Sequence, residues 1–404
     1  MSETYTYVAT CLFGLERFVG EEIEALGYTR TATSDGRVTF TGDLSAIARC
    51  NLWLRCAERL YLLMGTFPAH TFTELFDGTK ALPWENWIGP DDAFPVKGHS
   101  IRSQLASVPD CQSIVKKAVV DRLSGEYGIS WFKEDCVKYQ IEFFLLDDTA
   151  ALMIDTSGTA LHKRGYRPEA GAAPLRETLA CAMVKLARPR EDVLLWDPFC
   201  GSGTIPLEAA LLMTNTAPGL SRKFAAEEFY DIPESIWTQA REEARDLQKP
   251  DTPFEAFASD IDRDMVRLAQ DNVVRAGMQK HIRTFQHDAL HITTGGRRGT
   301  IVCNPPYGER LMTPEEVREL YRAMGKHFAT LDRWQIYIIS SDETFELDYG
   351  RRADKVRKLY NGMIKCGYYQ YFKNPQKSEG GNAHDRYEKR DRTGPERKSK
   401  PERP

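Results

Sequence analysis

The sequence predicts an α/β protein whose C-terminal half holds a Rossmann-like, mostly parallel sheet, and three observations support this fold class. From about residue 190, apolar strands alternate with amphipathic helices, a pattern that requires crossover connections and a doubly wound sheet. Two of these strands end in unusual loops, at 197–204 and 304–308. The first 65 residues instead show a β-α-β-β-α-β order, which predicts a smaller α+β unit ahead of the sheet.

Length and composition limit the protein class. A chain of 404 residues with 42% hydrophobic residues predicts two or three domains. No apolar run approaches the roughly 20 residues that span a bilayer, and the N-terminus lacks the pattern of a signal peptide. Nine cysteines without a C-x-x-C pair predict reduced thiols, a cytoplasmic location and no metal site. A net charge of −4 argues against a uniformly basic surface, but it permits a local basic patch.

The N-terminal half is expected to contain two units. Residues 1–65 predict a ferredoxin-like domain, with a strand at Tyr5–Cys11, a hairpin at Asp35-Gly36 and a helix that Asp43 caps. Residues 66–156 predict a second α+β unit, which ends in a hairpin around Asp147-Asp148.

A linker at 157–175 carries Gly, Pro and several cations, and the large sheet domain follows at 176–373. Its predicted strands are 192–197, 255–260, 282–287, 299–304 and 334–341, and a hairpin at 355–372 turns through Asn361-Gly362. Its predicted helices are 204–214, 263–276 and 315–331. Residues 374–404 are charged and almost free of apolar side chains, so a disordered tail is expected.

The loop at 197–204, Asp-Pro-Phe-Cys-Gly-Ser-Gly-Thr, predicts a nucleoside site. It has neither the third glycine of the dinucleotide fingerprint nor the Gly-Lys-Ser/Thr of a P-loop. The next two strands end near Asp260 and Asp288. An acid at the second strand end is placed to accept hydrogen bonds from ribose hydroxyls, and one at the third could accept from an adenine amine.

The loop Asn304-Pro305-Pro306-Tyr307 predicts an amine methylation site. An exocyclic aromatic amine is a poor nucleophile because its lone pair is delocalised into the base. The Asn304 oxygen and the Pro305 carbonyl could accept its N–H groups and favour a pyramidal nitrogen, while Tyr307 stacks on the base. Positioning and electrostatics would then supply most of the catalysis.

Together these motifs resemble the S-adenosylmethionine-dependent RNA guanine-N2 methyltransferases that carry a THUMP domain, most closely the bacterial 23S rRNA group. The stretches 161–167 and 173–177 are similar to the linker of that family, and the likeness covers nearly the whole chain except the tail. The resemblance implies a class I methyltransferase domain with a mostly parallel seven-stranded sheet, preceded by ferredoxin-like and THUMP domains. In some lineages the family's enzyme is fused to a second methyltransferase domain, whereas this sequence shows one.

The resemblance also implies site residues. S-adenosylmethionine would be held by Asp197, Phe199, Gly201, Gly203, Thr204, Asp260, Ile261, Asp288 and Asn304. The target amine would be held by Asn304, Pro305 and Tyr307. Independently of the resemblance, the pattern of cations predicts that structured RNA, with rRNA as the expected class, is contacted through its phosphates by Arg102, Lys163, Arg164 and Arg167. Neither a metal nor a membrane is expected as a partner, and the oligomeric state is left open.

Other readings stay open at this level. A tRNA guanine, a DNA adenine N6 amine or a protein glutamine amide could be the methyl acceptor, and a non-catalytic RNA-binding assembly factor could keep the fold. A carbon-5 pyrimidine methyltransferase would need a nucleophilic thiol, but Cys200 and Cys303 are better explained by packing. A ribose 2′-O-methyltransferase would need a Lys-based set that the sequence lacks.

Overall fold

The residues that the structure describes form two seven-stranded sheets. The structure, a computed structural model, describes residues 3–167, 175–306 and 312–372. The N-terminal sheet joins the first two predicted units, and the C-terminal sheet forms the large domain. The predicted α/β fold with a mostly parallel C-terminal sheet is therefore confirmed.

The first unit has the expected ferredoxin-like order. Its elements are β1 (Tyr5–Cys11), α1 (Glu16–Ala25), β2 (Thr29–Ser34), β3 (Arg37–Gly42), α2 (Ser45–Trp53) and β4 (Ala57–Pro68). The four strands lie in the order β2-β3-β1-β4 and pair antiparallel. Asp43 accepts a hydrogen bond from the Ser45 backbone at 3.1 Å, which satisfies one free N–H at the start of α2.

The second unit continues the same sheet. It comprises α3 (Phe72–Lys80), β5 (Val96–Ile101), α4 (Val108–Tyr127), β6 (Ile141–Leu146) and β7 (Thr149–Asp155). Strand β4 pairs with β7 from Tyr61 to Pro68, so the sheet runs β2-β3-β1-β4-β7-β6-β5. One strand therefore serves both units and crosses position 65, where the sequence predicted a boundary. The predicted domain limits themselves stay predictions.

The C-terminal sheet has the order β10-β9-β8-β11-β12-β14-β13. Strands β8 to β12 pair in parallel, and β14 pairs antiparallel with both β12 and β13. The elements are α5 (Glu177–Ala187), β8 (Leu194–Asp197), α6 (Thr204–Met213), α7 (Glu234–Asp246), β9 (Ala256–Asp260), α8 (Arg263–Arg275), β10 (Ile282–Gln286), β11 (Gly299–Cys303), α9 (Pro314–Phe328), β12 (Trp334–Ser340), α10 (Phe345–Tyr349), β13 (Lys355–Asn361) and β14 (Ile364–Tyr371).

Helix α9 shows how local sequence sets an element. Thr313 and Glu316 form a reciprocal capping box around Pro314 at the first helical position. Four apolar side chains at helical spacing face the core and are buried, namely Val317, Tyr321, Met324 and Phe328. The helix consequently packs on the sheet beside the loop that follows β11.

The two halves of the chain are packed together. One continuous cluster of buried apolar side chains includes Leu52 from α2 and Trp237 from α7. Arg49 on α2 makes a two-pronged ion pair with Glu243 on α7 at 2.9 and 2.8 Å. The residues after α6, which include α7, therefore dock the N-terminal half onto the C-terminal domain.

Candidate active site

The strand order places the two special loops in one crevice. β8 lies between β9 and β11. After β8 the chain adds β9 and β10 toward one edge of the sheet, and it then adds β11 and β12 on the other side of β8. The register aligns Ile301 of β11 with Trp196 of β8, and neighbouring strands lie about 4.8 Å apart. Asp197 and Asn304 therefore project from adjacent strand ends, at the switch point where α/β sheets bind ligands.

The glycine loop leaves room for a ligand. Gly201 and Gly203 have positive φ angles of 49° and 80°, which glycine adopts without steric cost. A Cβ at Gly201 would meet open space, whereas a Cβ at Gly203 would lie 3.2 Å from Ala269. Gly203 thus permits close packing of α8, and Gly201 keeps the crevice open. The Asn272 side chain fixes the loop by donating to the Ser202 carbonyl at 2.9 Å.

Two acids lie at the base of this loop. Asp260 accepts hydrogen bonds from the Gly201 and Asp262 backbones, each at 3.0 Å. Asp197 is only 1% exposed and accepts from the Phe199 backbone at 3.1 Å. Burial raises the pKa of both carboxyl groups, and the charge of Asp260 further raises the pKa of Asp197. Paired acids with spare lone pairs suit a ligand that carries hydroxyl groups and positive charge.

The remaining predicted cofactor residues surround the same strand ends. Ile261 follows β9 and is 68% exposed, which offers an apolar surface to a flat ring. Asp288 lies two residues beyond β10 and accepts from the Leu290 backbone at 2.9 Å. Phe199 is half-buried. Thr204 is buried, and its hydroxyl accepts a hydrogen bond from Arg167 at 2.8 Å. These features fit an adenosyl cofactor, although the role of each residue stays a prediction.

Asn304 presents an unused acceptor. Its Oδ1 atom is buried and has no hydrogen-bond partner among the residues that the structure describes. Leaving a buried acceptor unsatisfied costs about 1–3 kcal/mol, so this geometry is favourable only when a donor arrives. Pro305 is buried beside it. The predicted contact of Tyr307 lies outside the described residues.

The proline turn is held in place from behind. The Tyr321 hydroxyl on α9 donates to the Pro306 carbonyl at 3.0 Å and lies 3.1 Å from the Ser340 hydroxyl. Tyr321 is fully buried. The sequence analysis did not identify this positioning residue, because a tyrosine on the apolar face of a helix is usually a core residue.

The cysteines beside the motifs are poor nucleophiles. Cys200 is 6% exposed and Cys303 is fully buried. Burial, together with the nearby Asp197, raises the pKa of both thiols well above the ordinary value. Burial and a raised pKa disfavour the thiolate form of both side chains, which agrees with the packing interpretation.

Two of the four residues predicted to contact RNA have buried side chains that pair with carboxylates of the protein. Arg164 is 3% exposed; it donates to the Leu161 carbonyl at 2.7 Å and lies 3.4 Å from Glu208. The Arg167 side chain is 6% exposed and pairs with Glu177 at 2.9 Å. These two expectations are corrected, because both guanidinium groups satisfy buried carboxylates.

Arg102 and Lys163 remain available at the surface. Arg102 is exposed and makes a two-pronged pair with Asp147, with both distances at 2.8 Å, while Lys163 is exposed. Contact of these two side chains with RNA stays a prediction. Arg167 has instead a role that the sequence did not show, since it ties the linker to Thr204 in the glycine loop.

The part of the chain that the structure describes holds neither a metal-binding cluster nor a membrane-spanning helix. No group of three or more His, Cys, Asp or Glu side chains in these ranges could hold a metal ion. Within the same ranges, no helix combines the length and apolar character that crossing a bilayer requires.

Three family models match the chain. The RMKL-like methyltransferase domain matches residues 164–370, the RlmL ferredoxin-like domain residues 6–61, and the THUMP domain residues 69–155. The three matches follow the order of the predicted units, and the first covers about half of the chain.

Curated relatives match over most of the chain. It is 46% identical over 383 residues to the putative RNA methyltransferase YpsC of Bacillus subtilis, covering 94% of this chain and 99% of that protein. It is 34% identical over 378 residues to the ribosomal RNA large subunit methyltransferase K/L of Aliivibrio salmonicida. That match covers 90% of this chain but 53% of the relative, so the chain spans about half the length of the K/L protein.

Solved structures share the architecture. One is SMU.472, described as a putative methyltransferase complexed with SAH; it is 40% identical, has a TM-score of 0.87, and the match covers 93% of this chain and all of that one. Another, described as a predicted N6-adenine-specific DNA methylase from Listeria monocytogenes, is 46% identical with a TM-score of 0.86, and the match covers 91% and 96%. The chain therefore belongs to the RMKL-like methyltransferase family, as an S-adenosylmethionine-dependent enzyme with ferredoxin-like and THUMP domains ahead of its catalytic domain.

Proposed function

We propose that this protein methylates the exocyclic N2 amine of a guanine in structured RNA, with 23S rRNA as the substrate and the cytoplasm as the place of action. The observation that carries the proposal is the Oδ1 of Asn304, which is buried at the switch point of the sheet and has no hydrogen-bond partner among the described residues. Such an acceptor suits an amine that must be held through its N–H groups. The names of the Bacillus and K/L relatives support RNA as the substrate class.

The reaction needs positioning more than a strong base. S-adenosylmethionine supplies an electrophilic methyl group on a positively charged sulfur. Asn304 Oδ1 and the Pro305 carbonyl would accept the two amine hydrogens and direct the nitrogen lone pair toward that methyl. As the N–C bond forms, the bond between sulfur and the methyl carbon would break, and S-adenosylhomocysteine would leave as a neutral thioether. The nitrogen would become cationic, which makes its proton acidic, and water would take up that proton. Holding the amine in this geometry supplies most of the rate.

The acids at the neighbouring strand ends would hold the cofactor. Asp260 would accept from the ribose hydroxyls, and Asp288 would accept from the adenine amine. Ile261 would cover one face of the adenine. Gly201 and Gly203 would let the backbone approach the amino-acid part of the cofactor closely. The charge of Asp197 would stabilise the cationic centre of the cofactor.

The target base must leave its stack to reach this crevice. Tyr307 follows the proline turn in the sequence, and stacking of a base on a tyrosine ring contributes about 1–3 kcal/mol. A guanine that is extruded or lies in an unpaired loop would suit this arrangement. Arg102 and Lys163 would contact backbone phosphates away from the crevice.

Substitution of Asn304 tests the proposal directly. Asn304→Ala should lower the methyl-transfer rate about 10²- to 10³-fold, the usual effect of deleting one group that stabilises developing charge. Affinity for S-adenosylmethionine, measured by calorimetry, should change little. Asn304→Asp serves as the matched control because it keeps the acceptor oxygens, and it should retain more activity than Asn304→Ala. Equal activity of Asn304→Ala and wild type would refute the role.

The RNA class is tested separately. Mass spectrometry of nucleosides from 23S rRNA and tRNA should show loss of N2-methylguanosine from the rRNA of a strain that lacks the gene. Restoration by wild type, but not by Asn304→Ala, would complete the assignment. Loss from tRNA instead would move the substrate to tRNA.

A DNA adenine methyltransferase is the second candidate, favoured by the description of the Listeria protein as a predicted N6-adenine-specific DNA methylase. The same loop could hold an adenine N6 amine. Incorporation of labelled methyl groups into RNA, DNA and protein by the purified enzyme separates the two activities. Label in DNA alone would replace the RNA proposal, and absence of cofactor binding by calorimetry would favour a non-catalytic factor.

A further inference from the structure

A large cleft lies on the side of the C-terminal sheet away from the proposed active site. It has a volume of about 650 Å³ and is lined by α1, the connection from α5 to β8, and the β12-β14-β13 end of the sheet. A smaller cleft of about 380 Å³ shares four of its lining residues, namely Arg188, Arg190, Gln335 and Phe372. We call the two together the basic trough.

The basic trough is separate from the methyl-transfer crevice. It is lined by Gly299 and Trp334, which begin β11 and β12, whereas Asn304 follows the other end of β11. At about 3.3 Å per residue, Gly299 at the start of β11 and Asn304 just beyond its end lie roughly 16 Å apart. A ligand in the basic trough would therefore not touch the transferred methyl group.

Cations concentrate in the basic trough. The larger cleft is lined by six of them, Arg17, Lys185, Arg188, Arg190, Lys355 and Arg357, and by the single acid Glu21. Arg17 pairs with Glu21, and Lys185 pairs with Glu22. No described carboxylate lies within ion-pair distance of the other four. Such a concentration contrasts with the net charge of −4 of the whole chain.

Two polar side chains in the larger cleft have unused hydrogen-bond donors. Gln370 is 3% exposed, and its buried Nε2 has no partner among the described residues; the same holds for the buried Nε of Arg357. Gln370 lies in β14 between Tyr337 of β12 and Lys355 of β13. Because side chains alternate along a strand, Gln370, Lys355 and Arg357 share one face of the sheet. Buried donors beside unpaired cations suit a ligand rich in anionic acceptor oxygens.

We propose that the basic trough binds the phosphodiester backbone of the RNA, as a second contact remote from methyl transfer. This proposal rests on the proposed function, because it takes RNA as the substrate of the enzyme. The cations are spread over two adjoining clefts. This distribution fits a chain of phosphates better than it fits a single compact anion. One side of the basic trough is formed by α1 of the ferredoxin-like unit, and the other side by the catalytic domain. RNA in the basic trough would therefore contact both domains. The sequence after Phe372 has more Lys and Arg than Asp and Glu, so like charge disfavours it as the occupant.

The test measures RNA affinity against salt concentration. The triple variant Arg188→Ala/Arg190→Ala/Arg357→Ala should bind a fluorescein-labelled 23S rRNA fragment at least roughly tenfold more weakly at low salt. The slope of log affinity against log salt should fall by about 2 to 3, since each lost phosphate contact removes about 0.7–0.9. The matched control Arg245→Ala/Lys249→Ala/Lys326→Ala, which removes the same charge from exposed positions elsewhere, should keep the wild-type slope.

A second variant separates binding from folding. Gln370→Leu removes a buried donor that has no partner among the described residues, so its Tm should equal or exceed that of wild type by about 2–4 °C, while RNA affinity falls. Wild-type affinity and slope in both Gln370→Leu and the triple variant would overturn the basic trough as an RNA site. If inorganic tripolyphosphate binds wild type but not the triple variant, and RNA binding is unchanged between them, the ligand is a free polyphosphate and the RNA proposal is overturned.

The outcome is distinguishable from failure of the proposed function. Cofactor affinity by calorimetry and the identity of the methylated nucleoside report on the crevice alone. Formation of N2-methylguanosine together with unchanged RNA binding by the triple variant would reject the basic trough and leave the methyltransferase assignment intact. Absence of that nucleoside in wild-type reactions, with the salt slope still dependent on the trough, would reject the guanine assignment alone.

Discussion

At the residue scale, Asp197 and Asp260 form the most informative pair. Asp197 is buried and Asp260 is half-buried, and burial raises the pKa of each carboxyl group. The ligand-free fold therefore gives up stability as pH rises through these raised pKa values, because ionised carboxyl groups must stay buried. A cationic ligand reverses this penalty, since it favours the ionised forms.

The pH dependence of cofactor affinity follows from that linkage. S-adenosylmethionine carries a sulfonium charge that S-adenosylhomocysteine lacks. Affinity for the first should rise as pH increases from mildly acidic to neutral values, and affinity for the second should rise less. Calorimetry at several pH values checks this, and Asp197→Asn should flatten the difference between the ligands. Tighter binding of S-adenosylmethionine at acidic pH would contradict the electrostatic role.

At the element scale, helix α9 acts as a support for the proline turn. Its cap fixes where the helix begins, and its apolar face packs on the sheet. The hydroxyl of Tyr321 then reaches the Pro306 carbonyl. The position of the Asn304 acceptor consequently depends on packing of a helix that begins ten residues later in the sequence.

Removal of that hydroxyl should affect turnover more than stability. Tyr321→Phe should lower kcat several-fold and leave affinity for S-adenosylmethionine unchanged. The loss of one buried hydrogen bond should cost about 1 kcal/mol in the free energy of unfolding. Tyr371→Phe is the matched control, because Tyr371 is 1% exposed and its hydroxyl donates to the Arg351 carbonyl at 3.3 Å. Equal kcat losses in the two variants would assign Tyr321 a purely structural role.

At the scale of the whole molecule, the N-terminal half is docked rather than tethered. Gly219, which follows α6, donates to the Leu52 carbonyl at 2.9 Å. A Cβ at Gly219 would lie 2.7 Å from the Asn51 carbonyl oxygen and 2.8 Å from the Leu52 Cα. Only glycine allows the two backbones to approach this closely. The ion pair between Arg49 and Glu243 lies in the same interface.

Gly219→Ala should therefore loosen the docking. The free energy of unfolding should fall by about 1–3 kcal/mol, because backbone atoms cannot move aside as a flexible side chain would. The rate of RNA methylation should fall more than the affinity for the cofactor, because the N-terminal half, which is expected to bind RNA, would lose its fixed position. Gly125→Ala provides the control: it lies in α4, nothing lies within 4 Å of its added Cβ, and it should stabilise the helix by about 0.5–1 kcal/mol. Equal effects of both substitutions would contradict the docking role of Gly219.

The sequence by itself determined the features that depend on neighbouring residues. Periodicity placed strands such as Tyr5–Cys11 and helices such as α9 close to their observed limits. The glycine loop and the Asn304-Pro305 turn were readable because each follows an apolar strand, and parallel strands end at a common edge. These local patterns were sufficient for the fold class, a nucleoside site and the shared crevice, and the family resemblance identified the cofactor.

Only the tertiary structure decided which charges reach solvent and which strands join. Arg164 looked like an RNA contact because a cation in a linker is usually exposed, but its partner Glu208 lies 44 residues away along the chain. The basic trough likewise combines α1 with β13 and β14, which are far apart in sequence. The β4–β7 pairing that fuses the first two units is another long-range contact. The physical reason is that burial and Coulomb energies depend on distance in space, which residue patterns along the chain do not specify.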